Sequence, residues 1–212
     1  MRILKVLAAV AALAVPLLGA VPAGAATPGC QAVPAGGCSS WQTPAGGGAA
    51  LDVWQQRAAS DTPVKVYRGS AVDPAEDLEL VAVPAGATST FPSLLASVAP
   101  AAVPGTDWVS IEYAPDGIPS GYCVSIIAAT ERAAAALRPC DIYTASNTTY
   151  DPFQVFDKVA ATDADGTFYV FKSVLTGFVL NDQRGGGSGS AVISYALGDD
   201  GSTPQQLWEA AG

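Results

Sequence analysis

The chemistry open to this chain is bounded first by what it lacks. Across 212 residues there is no histidine, the side chain that most often moves protons near neutral pH. No Gly-x-Ser-x-Gly elbow and no phosphate-cradling glycine loop occurs, so the common signatures of acyl transfer and nucleotide chemistry are missing. Carboxylates remain, and a glycosidase needs only two of them. Yet Asp163, Asp165, Asp199 and Asp200 stand beside glycine in turn-forming sequence, where solvated turn acids are the ordinary case. Asp163-Ala164-Asp165-Gly166 opens like a calcium loop but lacks the later ligands of an EF-hand. No pair is marked for catalysis, so the expectation is a protein that is not an enzyme and uses no cofactor. Asn147-Thr148-Thr149 is a glycosylation sequon, to which no role is given.

Cys30, Cys38, Cys123 and Cys140 are the other reactive groups, and four cysteines allow three pairings. A zinc site has little support without histidine or a Cys-x-x-Cys pair, and no metal is expected. Residues 1–25 place Arg2 and Lys5 ahead of an Ala/Val/Leu run that ends in Ala23-Gly24-Ala25, the pattern of a secretory signal peptide cleaved before Ala26. A membrane anchor is the competing reading. Pro16 interrupts the apolar stretch and a small-residue cleavage site follows at once, which favours removal. Secretion to the extracellular space favours disulfides over thiols. Cys30–Cys38 and Cys123–Cys140 are the expected pairs, since each is local and the second falls on successive strands of one unit.

The chain has 10 Lys and Arg against 19 Asp and Glu, a net charge of −9, and loss of Arg2 and Lys5 with the leader makes it more negative still. Such a protein repels phosphates and anionic lipid surfaces, so neither nucleic acid nor membrane is an expected partner. Charged residues are only 14% of the chain while Gly and Pro are plentiful. That composition suits short strands and turns.

The elements that must position any site are clearest in residues 166–208. Four apolar runs, Phe168 to Val174, Phe178 to Leu180, Val192 to Leu197 and Leu207 to Trp208, are separated by Gly, Asp, Asn and Ser, a β rather than a helical spacing. The unit closes on Gln206-Leu207-Trp208, and Gln154-Val155-Phe156 repeats that closing with Phe in the Trp position. An earlier copy, residues 107–160, contains Trp108 to Tyr113, Tyr122 to Ile127, Leu137 to Cys140 and Phe153 to Val159. In Trp108 to Tyr113, Val109, Ile111 and Tyr113 alternate with Ser110 and Glu112. Ala133 to Ala136 resembles a helix start, but the run is short and meets Pro139, so a strand is expected.

The first copy, residues 41–83, offers Leu51 to Trp54, Val64 to Tyr67 and Leu78 to Val83. Its closing segment, Glu76-Asp77-Leu78-Glu79-Leu80, lacks both Gln and ring, which leaves its register open. Residues 26–40 form an N-terminal arm clipped by the small disulfide. Residues 84–106 are a Pro- and Ala-rich insertion whose composition favours a mobile segment, with room for one short helix over Phe91 to Val98.

Three four-strand units in one chain, two Q-x-W-like closings, and Cys123-Val124-Ser125 facing Leu137-Arg138-Pro139-Cys140 resemble the ricin-type β-trefoil lectin family. That resemblance covers residues 41–212. It implies an all-β fold with pseudo-threefold symmetry, and Cys123–Cys140 as an intra-repeat disulfide. Phe156 and Trp208 become core residues that fill the space where the units meet. It further implies shallow sugar pockets, one possible per unit, and glycan partners of galactose-like character. Each pocket has an acid or amide on the second strand, meeting sugar hydroxyls, and an aromatic platform on the third, stacking on the C–H face. In the first unit these positions hold Asp52 and Tyr67, with Lys65 beside them as a donor. In the third they hold Asn181 and Tyr195, with Asp182 adjacent and Gln205 near the closing strand. The second has Ser125 and Arg138, so no pocket is expected there. The protein is expected to be a monomer.

Each residue has an ordinary structural reading: Asp52 as a turn cap, Tyr67 and Tyr195 as half-buried strand residues, and Asn181 to Ser190 as a plain Gly/Ser loop. A β-trefoil can also act as a protease inhibitor through an exposed loop, here residues 84–106 or 183–190. Such a loop must be rigid, and Gly185-Gly186-Gly187 argues for mobility.

Overall fold

The structure is a computed structural model and describes residues 39–47, 49–68, 73–84, 86–91, 107–141, 149–162, 167–198 and 203–211. The leader, most of the arm, Cys30–Cys38, Asn147 and Thr148 of the sequon, the insertion from residue 92 to 106, and Asp163, Asp165, Asp199 and Asp200 lie outside them. All regular structure among the described residues is strand or short 3-10 turn. The first unit comprises β1 (Ser40–Thr43), β2 (Ala49–Val53), β3 (Val64–Tyr67) and β4 (Leu78–Ala82). After a short β5 (Thr88–Ser89) come β6 (Trp108–Tyr113), β7 (Tyr122–Ile126), β8 (Ala135–Pro139), a short β9 (Thr149–Tyr150) and β10 (Val155–Thr162). The third unit is β11 (Thr167–Ser173), β12 (Val179–Asp182), β13 (Ser190–Tyr195) and β14 (Glu209–Ala211).

The first and fourth strands of the units close a barrel. β14 pairs with β1, β4 with β6, β6 with β10 and β10 with β11, all antiparallel. Single bridges at Ser39–Leu78 and Tyr169–Trp208 complete the ring, which leaves no open sheet edge around the barrel. The second and third strands form the hairpins β2–β3, β7–β8 and β12–β13. Their third strands meet around the pseudo-threefold axis through Pro63–Ala136, Ala134–Ile193 and Ser190–Val66. This is a β-trefoil. The alanine run is not helical: Ala134 makes a single bridge and Ala135 and Ala136 open β8, where the β7 partner and the burial of Leu137 override alanine's helix preference.

One local device recurs at each closing. A proline stands two residues before the Gln position, at Pro74, Pro152 and Pro204, and opens a tight turn. In each turn the N–H of Glu76, Gln154 or Gln206 donates to the carbonyl of Asp73, Asp151 or Thr203 at 2.8 to 2.9 Å. Gln154 donates to Pro139 O at 2.9 Å and accepts from Asp141 N–H at 3.0 Å. Gln206 does the same with Ala196 O at 2.8 Å and Gly198 N–H at 3.0 Å. A primary amide is both donor and acceptor, so one side chain ties the chain after the third strand to the closing strand. In the first unit Glu76 takes this place, buried, accepting from Ser40 Oγ at 3.0 Å. The open register is thereby fixed, with Leu78 standing where the others have Phe156 and Trp208. All three side chains are fully buried in one cluster with Tyr113 and Phe171. Trp41 packs edge-on against Phe171 at 5.0 Å.

Cys123 and Cys140 are bonded, 4.9 Å apart at Cα, as expected. The insertion departs from expectation where it is described. Thr88 and Ser89 pair in parallel with Thr149 and Tyr150, Thr90 N–H donates to Tyr150 O at 2.9 Å, and Phe91 meets Phe153 edge-on at 6.4 Å. Its polar residues and one ring dock on the second unit, which the Pro/Ala composition around them conceals.

Candidate functional site

Three clefts occupy equivalent places, one per unit. Each lies between the end of the second strand, the end of the third and the proline turn. The first encloses about 210 Å³ and is lined by Asp52, Trp54, Gln55, Gln56, Tyr67, Asp73 and Ala75. Asp52 on β2 is directly opposite Lys65 on β3. Beyond β2 the chain turns through Gln55 and Gln56 at φ 58° and 55°, a left-handed backbone that non-glycine residues adopt at some cost. That turn sets Trp54 and both amides at the cleft. Gln56 Nε2 donates to Asp73 Oδ1 at 3.0 Å, and the same oxygen caps Ala75 N–H at 3.0 Å. Lys65 Nζ sits 3.5 Å from the Trp54 ring centroid, a cation–π contact that covers one face of that ring.

Asp52 is the electrostatic centre of this cleft. Its carboxylate makes no hydrogen bond among the described residues. Burial pushes its pKa up, the charge of Asp73 adds to the rise and Lys65 opposes it, leaving a value of about 6. A carboxylate without a protein donor is a strong acceptor for a ligand hydroxyl. Tyr67 presents its ring beside it, 39% exposed.

The third cleft, about 380 Å³, is lined by Asn181, Asp182, Gln183, Ile193, Tyr195, Thr203 and Gln205, and by Arg132 from the second unit. Asn181 is buried to its edge, pairs with Ile193 across β12 and β13, and makes no side-chain hydrogen bond among the described residues. Arg132 Nη2 lies 3.5 Å from the Tyr195 hydroxyl, with its guanidinium carbon 5.6 Å from the ring centroid.

Asp182 borders this cleft with its side chain enclosed rather than open. It is fully buried, and its carboxylate accepts from Arg184 N–H at 3.1 Å, from Gly186 N–H and from Ser190 Oγ. Alternation along β12 sets the side chains of Asn181 and Asp182 in different surroundings: both residues border the cleft, but the Asp182 carboxylate is turned into the loop that follows. The same bonds tie Arg184, Gly186 and Ser190 to one buried carboxylate, in the loop whose Gly185-Gly186-Gly187 run was expected to be mobile.

The second unit, where no pocket was expected, also has a hollow. It encloses about 340 Å³ between Ser125, Ile126, Ile127, Arg138, Pro139, Asp151, Phe153 and Gln154. The backbone of the three converging elements makes the hollow, so it survives loss of the acid and the third-strand ring. Its ring is Phe153 of the proline turn. Arg138 is spent on Asp61 at 2.7 Å, and Asp151 caps Phe153 N–H at 2.9 Å. Burial raises the Asp151 pKa, with the Phe153 N–H opposing.

Of the residues read from sequence, Asp52, Tyr67, Asn181, Asp182, Tyr195 and Gln205 line clefts, Asp182 with its side chain buried, and Lys65 stands beside one. Sequence reasoning missed Trp54, Asp73, Arg132 and Phe153. A usable signal existed: proline two residues before each closing Gln position points at Asp73, Asp151 and Thr203. Arg132 had none, since its contact is long-range.

No protein-family model and no curated protein sequence matches the chain. Solved structures do. A designed threefold-symmetric protein, ThreeFoil, is 15% identical over 82% of this chain and 98% of that one, with a TM-score of 0.55. The Rhizoctonia solani agglutinin is 15% identical over 84% and 95%, with a TM-score of 0.54. A Polyporus squamosus lectin, solved with a human-type influenza-binding epitope, is 13% identical over 81% of this chain and 47% of that one, with a TM-score of 0.51. At such identities the likeness is one of fold.

Proposed function

We infer that the protein is a secreted, non-catalytic glycan-binding protein of the ricin-type kind, with binding at the first and third clefts. The observation that carries this reading is Asp52, a buried acceptor with no protein donor among the described residues, in one cleft with the Trp54 and Tyr67 rings. A galactose-like ring brings hydroxyls for that carboxylate and for the Gln55 and Gln56 amides, and a C–H face for an aromatic platform. In the third cleft Asn181 and Gln205 supply amides and Tyr195 the ring. Shallow clefts bury little ligand area, so single-site affinity is expected to be weak and useful binding to be multivalent.

Asp52 and Asp73 share a cleft, as the two acids of a glycosidase do. The non-catalytic reading is supported by Asp73, whose Oδ1 already serves Gln56 and Ala75. A glycan array with an aryl galactoside hydrolysis assay tests both statements: bound galactose-like glycans without hydrolysis above background are expected. A second reading, a protease inhibitor acting through residues 183–190, gains from one observation, the Asp182 bonds that hold this loop. An empty array together with tight inhibition of a serine or cysteine protease would replace the first reading with the second.

A further inference from the structure

We propose that the third cleft selects a carboxylate-bearing sugar through Arg132, giving one chain two clefts of opposite charge preference. This rests on the reading of the clefts as glycan sites.

Arg132 is held in place from two units at once. It sits at φ 64°, a left-handed conformation, in the turn between β7 and β8. Its N–H donates to Ser194 O at 2.6 Å, Ser194 N–H to Ala133 O at 2.8 Å, and Ala133 N–H to Ser194 Oγ at 3.1 Å, while Ser194 Oγ donates to Thr130 O at 2.8 Å. These bonds staple the turn to β13, one residue before Tyr195. A strained non-glycine backbone that the fold over-determines is a feature that recurs at ligand sites.

The cation is also unspent. Arg132 makes no ion pair among the described residues; its side chain touches Tyr195, and Glu131 acts on it only as a neighbouring charge. The basic residues at the other clefts are committed, Arg138 to Asp61 and Lys65 to the Trp54 ring opposite Asp52. The acid of the third cleft, Asp182, is enclosed and occupied by loop donors. The lining therefore offers a ligand a guanidinium, the Asn181 and Gln205 amides, the Thr203 hydroxyl and the Tyr195 ring, while the Asp182 carboxylate in the same lining is fully buried and already accepts three loop donors. A guanidinium fork matches a carboxylate bidentately, the amides take the ring hydroxyls, and Tyr195 takes the apolar face. The first cleft, with Asp52 and Asp73, is repulsive to the same ligand.

The test compares methyl β-galactoside with methyl β-galacturonide, which differ only in the C6 alcohol or carboxylate, by titrating each into the 15N-labelled protein. The expected result is saturation of the Gly186, Ser194 and Tyr195 amide shifts by the galacturonide at about tenfold lower concentration than by the galactoside. R132Q is expected to abolish that preference at the third cleft while the galactoside shifts of the first cleft stay unchanged, and R132K to retain part of it. Equal saturation by both sugars, a preference unchanged in R132Q, or galacturonide binding confined to the first cleft would overturn the proposal and leave the glycan reading standing. Silence of every cleft toward both sugars would overturn both.

Discussion

Asp52 stands directly opposite Lys65 across β2 and β3, yet its carboxyl titrates near 6. Burial and the nearby Asp73 charge outweigh the lysine, whose ammonium is drawn 3.5 Å from the Trp54 ring centroid. The arrangement keeps an acid that is uncomfortable when ionised at the centre of the first cleft. Several measurable consequences come from that one relationship.

Ligand binding at this cleft should be pH-dependent. Above pH 7 Asp52 is ionised and accepts a sugar hydroxyl; as pH falls through about 6 it protonates and loses acceptor strength. Affinity for a galactose-like ligand at the first cleft is expected to fall several-fold between pH 7.5 and pH 5, read by titration of nearby amide shifts. A flat profile would mean that Asp52 does not meet the ligand.

Stability should move the opposite way. A folded-state pKa above the unfolded value means that the folded chain holds the proton more tightly, so the penalty is absent near pH 3 to 4 and full above about 6. D52N is expected to stabilise the protein at pH 8 by about 1 to 2 kcal/mol and to leave stability nearly unchanged at pH 3.5, while weakening sugar binding. Denaturant melts at the two pH values read both effects. Destabilisation at pH 8 would contradict the assignment.

The closing turns make a second set of expectations. Trp208→Ala and Phe156→Ala each empty a fully buried site and should cost about 3 to 5 kcal/mol, with Leu78→Ala at about 2 to 5. Q206E keeps an acceptor for Gly198 N–H but loses the donor to Ala196 O, leaving two acceptors facing. It should cost about 1 to 3 kcal/mol in a urea melt. A neutral Q206E would show that the amide clamp is incidental.

The loop of the third cleft depends on one buried acid. D182A removes the acceptor for Arg184 N–H, Gly186 N–H and Ser190 Oγ. Hydrogen exchange at Arg184 and Gly186 should accelerate by at least about tenfold, and third-cleft binding should weaken while the first cleft is unaffected. Unchanged exchange would mean that the glycines, not Asp182, set the loop.

Much of this architecture is legible in the chain because strand alternation and turn residues are local. Trp108 to Tyr113 forms as read, and Ala133 to Ala136 is recognisable as strand from Pro139 and from its place in the repeat. The first unit is harder. Its closing residue is Leu78 rather than a ring and its clamp is Glu76 rather than Gln, so only the proline at position 74 preserves the frame. Half of each cleft is local too, as with Asp52 and Tyr67. The other half comes from the turn after β2, from the proline turn, or from the neighbouring unit, and Trp54, Asp73 and Arg132 reach their places only through tertiary packing. Composition reports Asp182 as an acid beside Asn181 but not that its side chain is buried and bonded to the loop that follows.

The most direct test of the glycan-binding account is a titration of methyl β-galactoside into 15N-labelled wild-type and D52N protein at pH 7.5. Saturable shifts at Trp54, Gln55, Gln56 and Tyr67 are expected in the wild type, with saturation of those shifts only at a galactoside concentration several-fold or more higher in a folded D52N. Identical titrations in the two proteins, or no response at the first cleft in either, would contradict it.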